Sequence, residues 1–101
     1  MWIIAAFDLP VDTDEARRCY REFRKVLLDD GFMMWQYSIY ARHCPSNENA
    51  DVHERRISAF LPPAGQVRVF ILTDKQVERM RVFHGIRRFP AENAPEQLTF
   101  L

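Results

Sequence analysis

The run Trp2-Ile3-Ile4-Ala5-Ala6-Phe7 is uninterruptedly apolar, rich in β-forming side chains, and stops at Asp8-Leu9-Pro10. That pattern describes a buried central strand ending in a turn, and it constrains the chain more than any other segment. The clearest helix in the sequence follows directly. Asp12 or Thr13 can cap its N-terminus, Asp12 and Glu15 have capping-box spacing, and Ala16, Cys19, Tyr20, Phe23, Val26 and Leu27 recur at helical intervals. Gly31 is a natural stop. The other side of this helix carries Arg17, Arg18, Arg21, Arg24 and Lys25, interleaved with Glu15 and Glu22 at salt-bridge spacing, a pattern that ordinarily marks a solvated face.

Residues Phe32 to Ala41 are expected to form a bent strand or a hairpin turning near Gln36, closed by Arg42-His43-Cys44-Pro45. The polar stretch Ser46-Asn47-Glu48-Asn49 then introduces a second helix with an apolar side of Val52, Ile57, Phe60 and Leu61, which Pro62-Pro63 terminates. Gly65 turns the chain into the strand Gln66 to Leu72, and a short helical turn over Asp74 to Met80 follows. The tail holds Pro90 and Pro95 before a strand-like Gln97 to Leu101. This order predicts an α+β fold of the ferredoxin-like kind, a β-α-β-β-α-β antiparallel sheet with two helices on one face and an extra C-terminal strand. We expect a single domain over 1–101, with a core at 1–88 and a linker and strand at 89–101 that pairs with a second copy in a homodimer.

The 101 residues carry 14 Lys+Arg against 14 Asp+Glu, so a polycation that coats nucleic acid through bulk charge is excluded. The charges are nevertheless sorted along the chain. Segment 61–91 holds six bases and two acids, and such a segment can contact phosphates inside a neutral protein. All its cations but Lys75 are Arg, the side chain whose planar fork grips phosphate, although a GC-rich genome produces the same bias. The longest apolar run, Met1 to Phe7, is too short for a bilayer and lacks a secretory leader, so no membrane partner and a cytoplasmic location are expected. Cys19 and Cys44 are expected to be free thiols in a reducing compartment.

With only Gly31, Gly65 and Gly85, the chain has no phosphate-cradling glycine loop. Cys19, His43, Cys44, His53 and His84 fall at no zinc spacing, and no nucleophile elbow occurs. Asp8 remains. It stands at the carboxyl end of the first strand, where a carboxylate can emerge at the rim of a sheet on a rigid backbone. One reading makes it a turn residue that helps start the helix. The other makes it a ligand for a hard cation, since magnesium is commonly held by one or two carboxylates plus substrate phosphates. One carboxylate per chain is thin for that purpose, and a two-fold axis bringing two copies of Asp8 together would supply the second.

Phe7-Asp8-Leu9-Pro10-Val11-Asp12-Thr13, Tyr20-Arg21-Glu22-Phe23-Arg24-Lys25, Asp30-Gly31-Phe32-Met33-Met34 and Gln36-Tyr37-Ser38-Ile39-Tyr40 resemble a known pattern, as do Lys75-Gln76, Arg79-Met80 and Gly85. The chain is similar to the small CRISPR adaptation proteins of the Cas-two family, in the style found beside single-effector systems. The resemblance is weakest between His43 and Ala64 and after Arg87. It implies a ferredoxin-like homodimer in which Asp8 occupies the family's acidic metal position. It also implies a magnesium-dependent endonuclease, with manganese as the alternative ion, acting on RNA or double-stranded DNA. A second implied role is that of scaffold for the integrase, Cas-one, with arginines on the incoming prespacer duplex. Glu22 departs from a stretch that is often more basic in relatives.

If the dimer is a nuclease, Asp8 is the candidate catalytic and metal-binding residue, and Ser38 is a candidate for positioning water or phosphate. A non-catalytic scaffold would rest instead on Arg17, Arg18, Arg21, Arg68, Arg79, Arg81, Arg87 and Arg88, which suit phosphate contacts that do not read sequence. An RNA-recognition module would need an aromatic strand motif that neither 67–72 nor 32–40 contains, so Trp35, Tyr37 and Phe70 are expected in the core or the dimer interface. A ribonuclease toxin of the virulence-associated D type, which shares the fold, is the closest enzymatic competitor.

Overall fold

The computed structural model describes residues 1–86; the C-terminal strand, its linker, Arg87 and Arg88 lie outside the described residues. The elements are β1 (Trp2–Asp8), α1 (Asp14–Asp29), β2 (Met33–Gln36), β3 (Ile39–His43), α2 (Asn47–Ser58), β4 (Gln66–Leu72) and α3 (Asp74–Glu78). The strands form one antiparallel sheet in the order β2-β3-β1-β4. The apolar run of β1 therefore lies between two partners, as its composition predicts, and the β-α-β-β-α-β core is ferredoxin-like.

Alternation along β1 divides the sheet into two unlike faces. Ile3, Ala5 and Phe7 point to the helices and pack with Phe23 and Leu27 of α1, Ala50 and Ile57 of α2, and Phe32, Tyr40 and Cys44. Phe7 is the centre of this core, its ring 5.3 Å from Phe23, 5.8 Å from Tyr20 and 5.6 Å from Tyr40. Such offset and edge-on aromatic pairs add to the area they bury. The opposite face carries Trp2, Ile4, Ala6 and Asp8, whose cross-strand partners are His43, Ala41 and Ile39 on β3 and Leu72, Phe70, Arg68 and Gln66 on β4. Residues paired across strands share a face, so this side is also largely apolar, yet neither α1 nor α2 covers it.

Local signals account for the element ends. Thr13, rather than Asp12, caps α1: its Oγ1 accepts the Ala16 N–H at 3.0 Å. Gly31, at φ +87°, reverses the chain after α1, and a Cβ there would lie 3.1 Å from Arg42 Nε. Arg42 Nε in turn donates to the Asp30 carbonyl at 2.8 Å. The stretch 33–43 is a hairpin that turns at Tyr37-Ser38.

Several expectations need correction. α2 ends at Ser58, so Phe60 and Leu61 are not part of its apolar side and are exposed. The Phe60 N–H closes a tight turn onto the Ile57 carbonyl, and Pro62 disfavours helical backbone at Leu61. The buried positions of α2 are Ala50, His53 and Ile57. His53 is tolerated because its Nδ1 donates to Asp30 Oδ2 at 2.6 Å, while Arg56 donates to Oδ1 of the same carboxylate at 2.6 Å. Burial raises the pKa of Asp30, but the hydrogen bonds from His53 and Arg56 outweigh it and hold the carboxyl below its usual range. Of the two places expected for Trp35, Tyr37 and Phe70, the helix-covered core does not hold them, which leaves the dimer-interface alternative standing: Tyr37 sits exposed at the hairpin turn, Phe70 lies on the uncovered face, and the Trp35 ring lies tilted 5.5 Å from that of Trp2. Cys19 and Cys44 are unpaired thiols, as expected.

Candidate metal and phosphate site

Asp8 is the last residue of β1 and is exposed at the end of the uncovered face. Two contacts fix the backbone on either side of it. The Phe7 N–H donates to the Ser38 carbonyl at 3.0 Å, anchoring the hairpin turn beside the strand end. On the other side, Gly65 approaches so closely that a Cβ there would meet the Asp8 carbonyl oxygen at 2.5 Å and Leu9 Cδ2 at 2.8 Å; its φ of +91° also requires glycine. A carboxylate held between two such contacts has a rigid base, which a metal or phosphate site needs.

The register of β4 decides what surrounds this carboxylate. Gln66 is directly opposite Asp8, and Arg68 is opposite Ala6, so all three side chains emerge on the same face at the same end of the sheet. With Ala6 and Phe7 they line a concavity of about 210 Å³. Arg68 Nη2 donates to Gln66 Oε1 at 3.3 Å. Among the described residues, neither Asp8 nor Arg68 belongs to an ion pair. Nor do three or more His, Cys, Asp or Glu side chains of the described residues gather into a metal-binding group. The donor set on one chain is thus a single carboxylate with an adjacent amide, which meets the lower limit for a magnesium site completed by water and phosphate oxygens.

The other candidate residues are dispersed. Arg17 is bonded to Asp14 and to the Val11 carbonyl, and Arg18 bridges Glu15 at 2.5 Å and Glu22 at 2.8 Å. Both guanidinium groups are committed to acids of their own helix. Arg21 is exposed on α1 with no ion pair among the described residues, while its neighbour Arg24 donates to the Tyr40 hydroxyl at 2.8 Å. Arg79 caps the C-terminus of α3 and Arg81 follows it, beyond the Leu72 end of β4 and therefore away from the Asp8 end. Ser38 lies in the hairpin turn, not on a strand, and its carbonyl is the group that touches β1. The pairing of Asp8 with Gln66 and Arg68 was missed from sequence. The available signal was that Asp8 ends one strand and Gln66 begins another, which antiparallel pairing brings level.

The fold and this strand-end carboxylate define an α+β ferredoxin-like protein with a candidate phosphate-directed site on an uncovered sheet. The family described as CRISPR associated protein Cas2 matches residues 1–80, and the chain belongs to that family. The chain is 53% identical over 98 residues, 97% of both chains, to the CRISPR-associated endoribonuclease Cas2 of Parvibaculum lavamentivorans. It is 43% identical over the full length of both chains to the protein of the same name from Ligilactobacillus salivarius. Among solved structures, Streptococcus pyogenes Cas2 superposes with a TM-score of 0.61 at 17% identity, covering 83% of this chain and all of that one, which supports the fold. No helix of the described residues is long and apolar enough to cross a membrane.

Proposed function

We propose that this chain is a CRISPR adaptation protein that works as a homodimer. In this reading it binds prespacer duplex DNA, scaffolds the Cas-one integrase, and carries a slow metal-dependent endonuclease site at Asp8. The observation that carries the reading is the position of Asp8 at the rim of an apolar sheet face that α1 and α2 leave uncovered. Met33 and Phe70, 53% and 44% exposed, make that face suited to burial against a second copy. A two-fold axis beside the end of β1 would set two Asp8 side chains opposite each other. The relatives named endoribonuclease favour phosphodiester hydrolysis as the chemistry, with RNA and duplex DNA as candidate substrates. Membership of this family favours adaptation over the toxin reading.

Asp8 would hold the divalent ion, magnesium or manganese. The chemistry such an ion supplies there is polarisation of the phosphodiester and acidification of a bound water. The protein's own part is positional. The Gly65 contact and the Phe7–Ser38 hydrogen bond keep the Asp8 backbone in place, and β4 sets Gln66 and Arg68 beside it. No histidine or lysine lines the concavity as a general base, which is why turnover is expected to be slow. Duplex binding is assigned to Arg21, Arg79 and Arg81 together with Arg87 and Arg88. Arg17 and Arg18 would have to exchange their helix acids for phosphates, so they contribute least. Neutralising about five phosphates gives a slope of log affinity against log salt near −4 to −5.

Cleavage of RNA and of duplex DNA by wild type and Asp8→Ala in magnesium tests the site: loss of cleavage in the variant is expected, and equal cleavage would remove Asp8 from the chemistry. Spacer acquisition in cells separates catalysis from scaffolding. Asp8→Ala is expected to retain acquisition, whereas a combined substitution of Arg79, Arg81, Arg87 and Arg88 is expected to lose it.

A further inference from the structure

We infer that Arg68 is the phosphate-binding residue of the Asp8 site, with Gln66 as the positioning residue that holds its guanidinium. This rests on the reading of Asp8 as a metal-bearing carboxylate and adds the group that would hold the substrate phosphodiester. Of the positions that the strand register places on the uncovered face, Arg68 alone carries a permanent positive charge; His43 is the other titratable base, and it lies opposite Trp2 at the far end of β1. Arg68 is thus set apart from the arginines of α1 and from Arg79 and Arg81 at the end of α3, and it shares its concavity with Asp8.

Charge balance explains why such a residue is needed. Two Asp8 carboxylates around one divalent ion sum to zero, leaving nothing to attract a phosphodiester or the extra negative charge of its transition state. One Arg68 from each protomer restores a positive site. The guanidinium is available for this role, because among the described residues its one hydrogen bond is to Gln66 Oε1 at 3.3 Å, and its remaining N–H donors have no protein acceptor. The lack of an ion pair with the nearby Asp8 leaves each side chain free to engage a different part of the same ligand, the carboxylate the ion and the guanidinium the non-bridging oxygens. A volume of about 210 Å³ admits a phosphodiester unit with room for water.

Binding decides the inference independently of cleavage. Fluorescence anisotropy with a labelled single-stranded RNA and a labelled duplex DNA, in magnesium and over a salt series, compares Asp8→Ala with Asp8→Ala/Arg68→Ala; neither is expected to cleave, and intact ligand verified by gel after each titration lets affinity be read directly. Removing Arg68 is expected to weaken binding of the substrate that uses the site by roughly tenfold and to make the salt slope shallower by about one per contacted phosphate. Arg68→Lys should recover the slope but not the full affinity, and Gln66→Ala should cost about threefold with the slope unchanged. A structural role for Arg68 would not move the salt slope. Equal affinity and equal slope for the two proteins with both ligands would overturn the inference, as would full recovery by lysine of the affinity for both. If wild type and Asp8→Ala cleave alike, the hydrolytic reading fails separately, and the Arg68 comparison still reports whether this residue binds phosphate.

Discussion

The two faces of the sheet share the same strands yet serve opposite ends. On β1, Ile3, Ala5 and Phe7 are sealed by helices, while Trp2, Ile4, Ala6 and Asp8 lie on the opposite face, away from α1 and α2, where Ile4 is buried among its neighbours and only Asp8 is exposed. The covered face is closed by contacts within the chain: aromatic rings around Phe7, and the Asp30 carboxylate that ties the end of α1 to His53 and Arg56 of α2. The uncovered face is apolar over most of its length, and its polar groups are gathered mainly at its ends, with His43 at one and Asp8, Gln66 and Arg68 at the other. One face therefore stabilises a single protomer, and the other is the face that the proposed dimer would bury, with Asp8, Gln66 and Arg68 at its rim.

The contrast breaks most sharply at Phe7 and Phe70. Phe7→Ala removes the ring at the centre of the core and is expected to destabilise the protein by about 3–5 kcal/mol in urea unfolding. Phe70→Ala, on the uncovered face, should cost far less at concentrations where the chain is monomeric and should instead weaken self-association in sedimentation experiments. Comparable losses in the monomer would erase the distinction.

Gly65→Ala acts on the end where the faces meet. Its positive φ and the 2.5 Å approach to the Asp8 carbonyl leave no room for a Cβ, so a loss of about 1–3 kcal/mol is expected. Cleavage should fall beyond what the stability loss explains, because the Asp8 backbone must shift to admit the methyl group. A variant with native stability and activity would show that the contact does not position the carboxylate.

The smallest effect concerns acid. Asp30 is held below its usual pKa, so its contribution is fully present above about pH 4, the unfolded carboxylate value, and disappears as pH falls through the lower folded value. Asp30→Asn should be less stable near neutrality and should flatten the decline in stability below pH 4 in denaturant titrations. An unchanged acid limb would place the pH dependence elsewhere.

Much of the fold was legible because its signals are short-range. The apolar run of β1, the helical spacing of α1, Gly31 and the hairpin turn after Gln36 depend on neighbours a few residues apart. The end of α2 was less legible, because Phe60 and Leu61 continue an apolar pattern that Pro62 and the turn onto Ile57 interrupt. His53 looked like an isolated histidine, and its partner Asp30 is 23 positions away in the chain. No periodicity links two such residues.

By itself, then, the sequence determined the type and order of the elements, and it singled out Asp8, because a carboxylate after an unbroken apolar run is a local pattern. It could not determine which arginine stands beside that carboxylate. Arg17, nine positions from Asp8, is bonded to Asp14 on its own helix; Arg68, sixty positions away, lines the same concavity. Strand register decided this, and register comes from packing one face of the sheet against the helices. A shift of one residue in β4 would have turned Arg68 toward the core and left Asp8 without a basic neighbour.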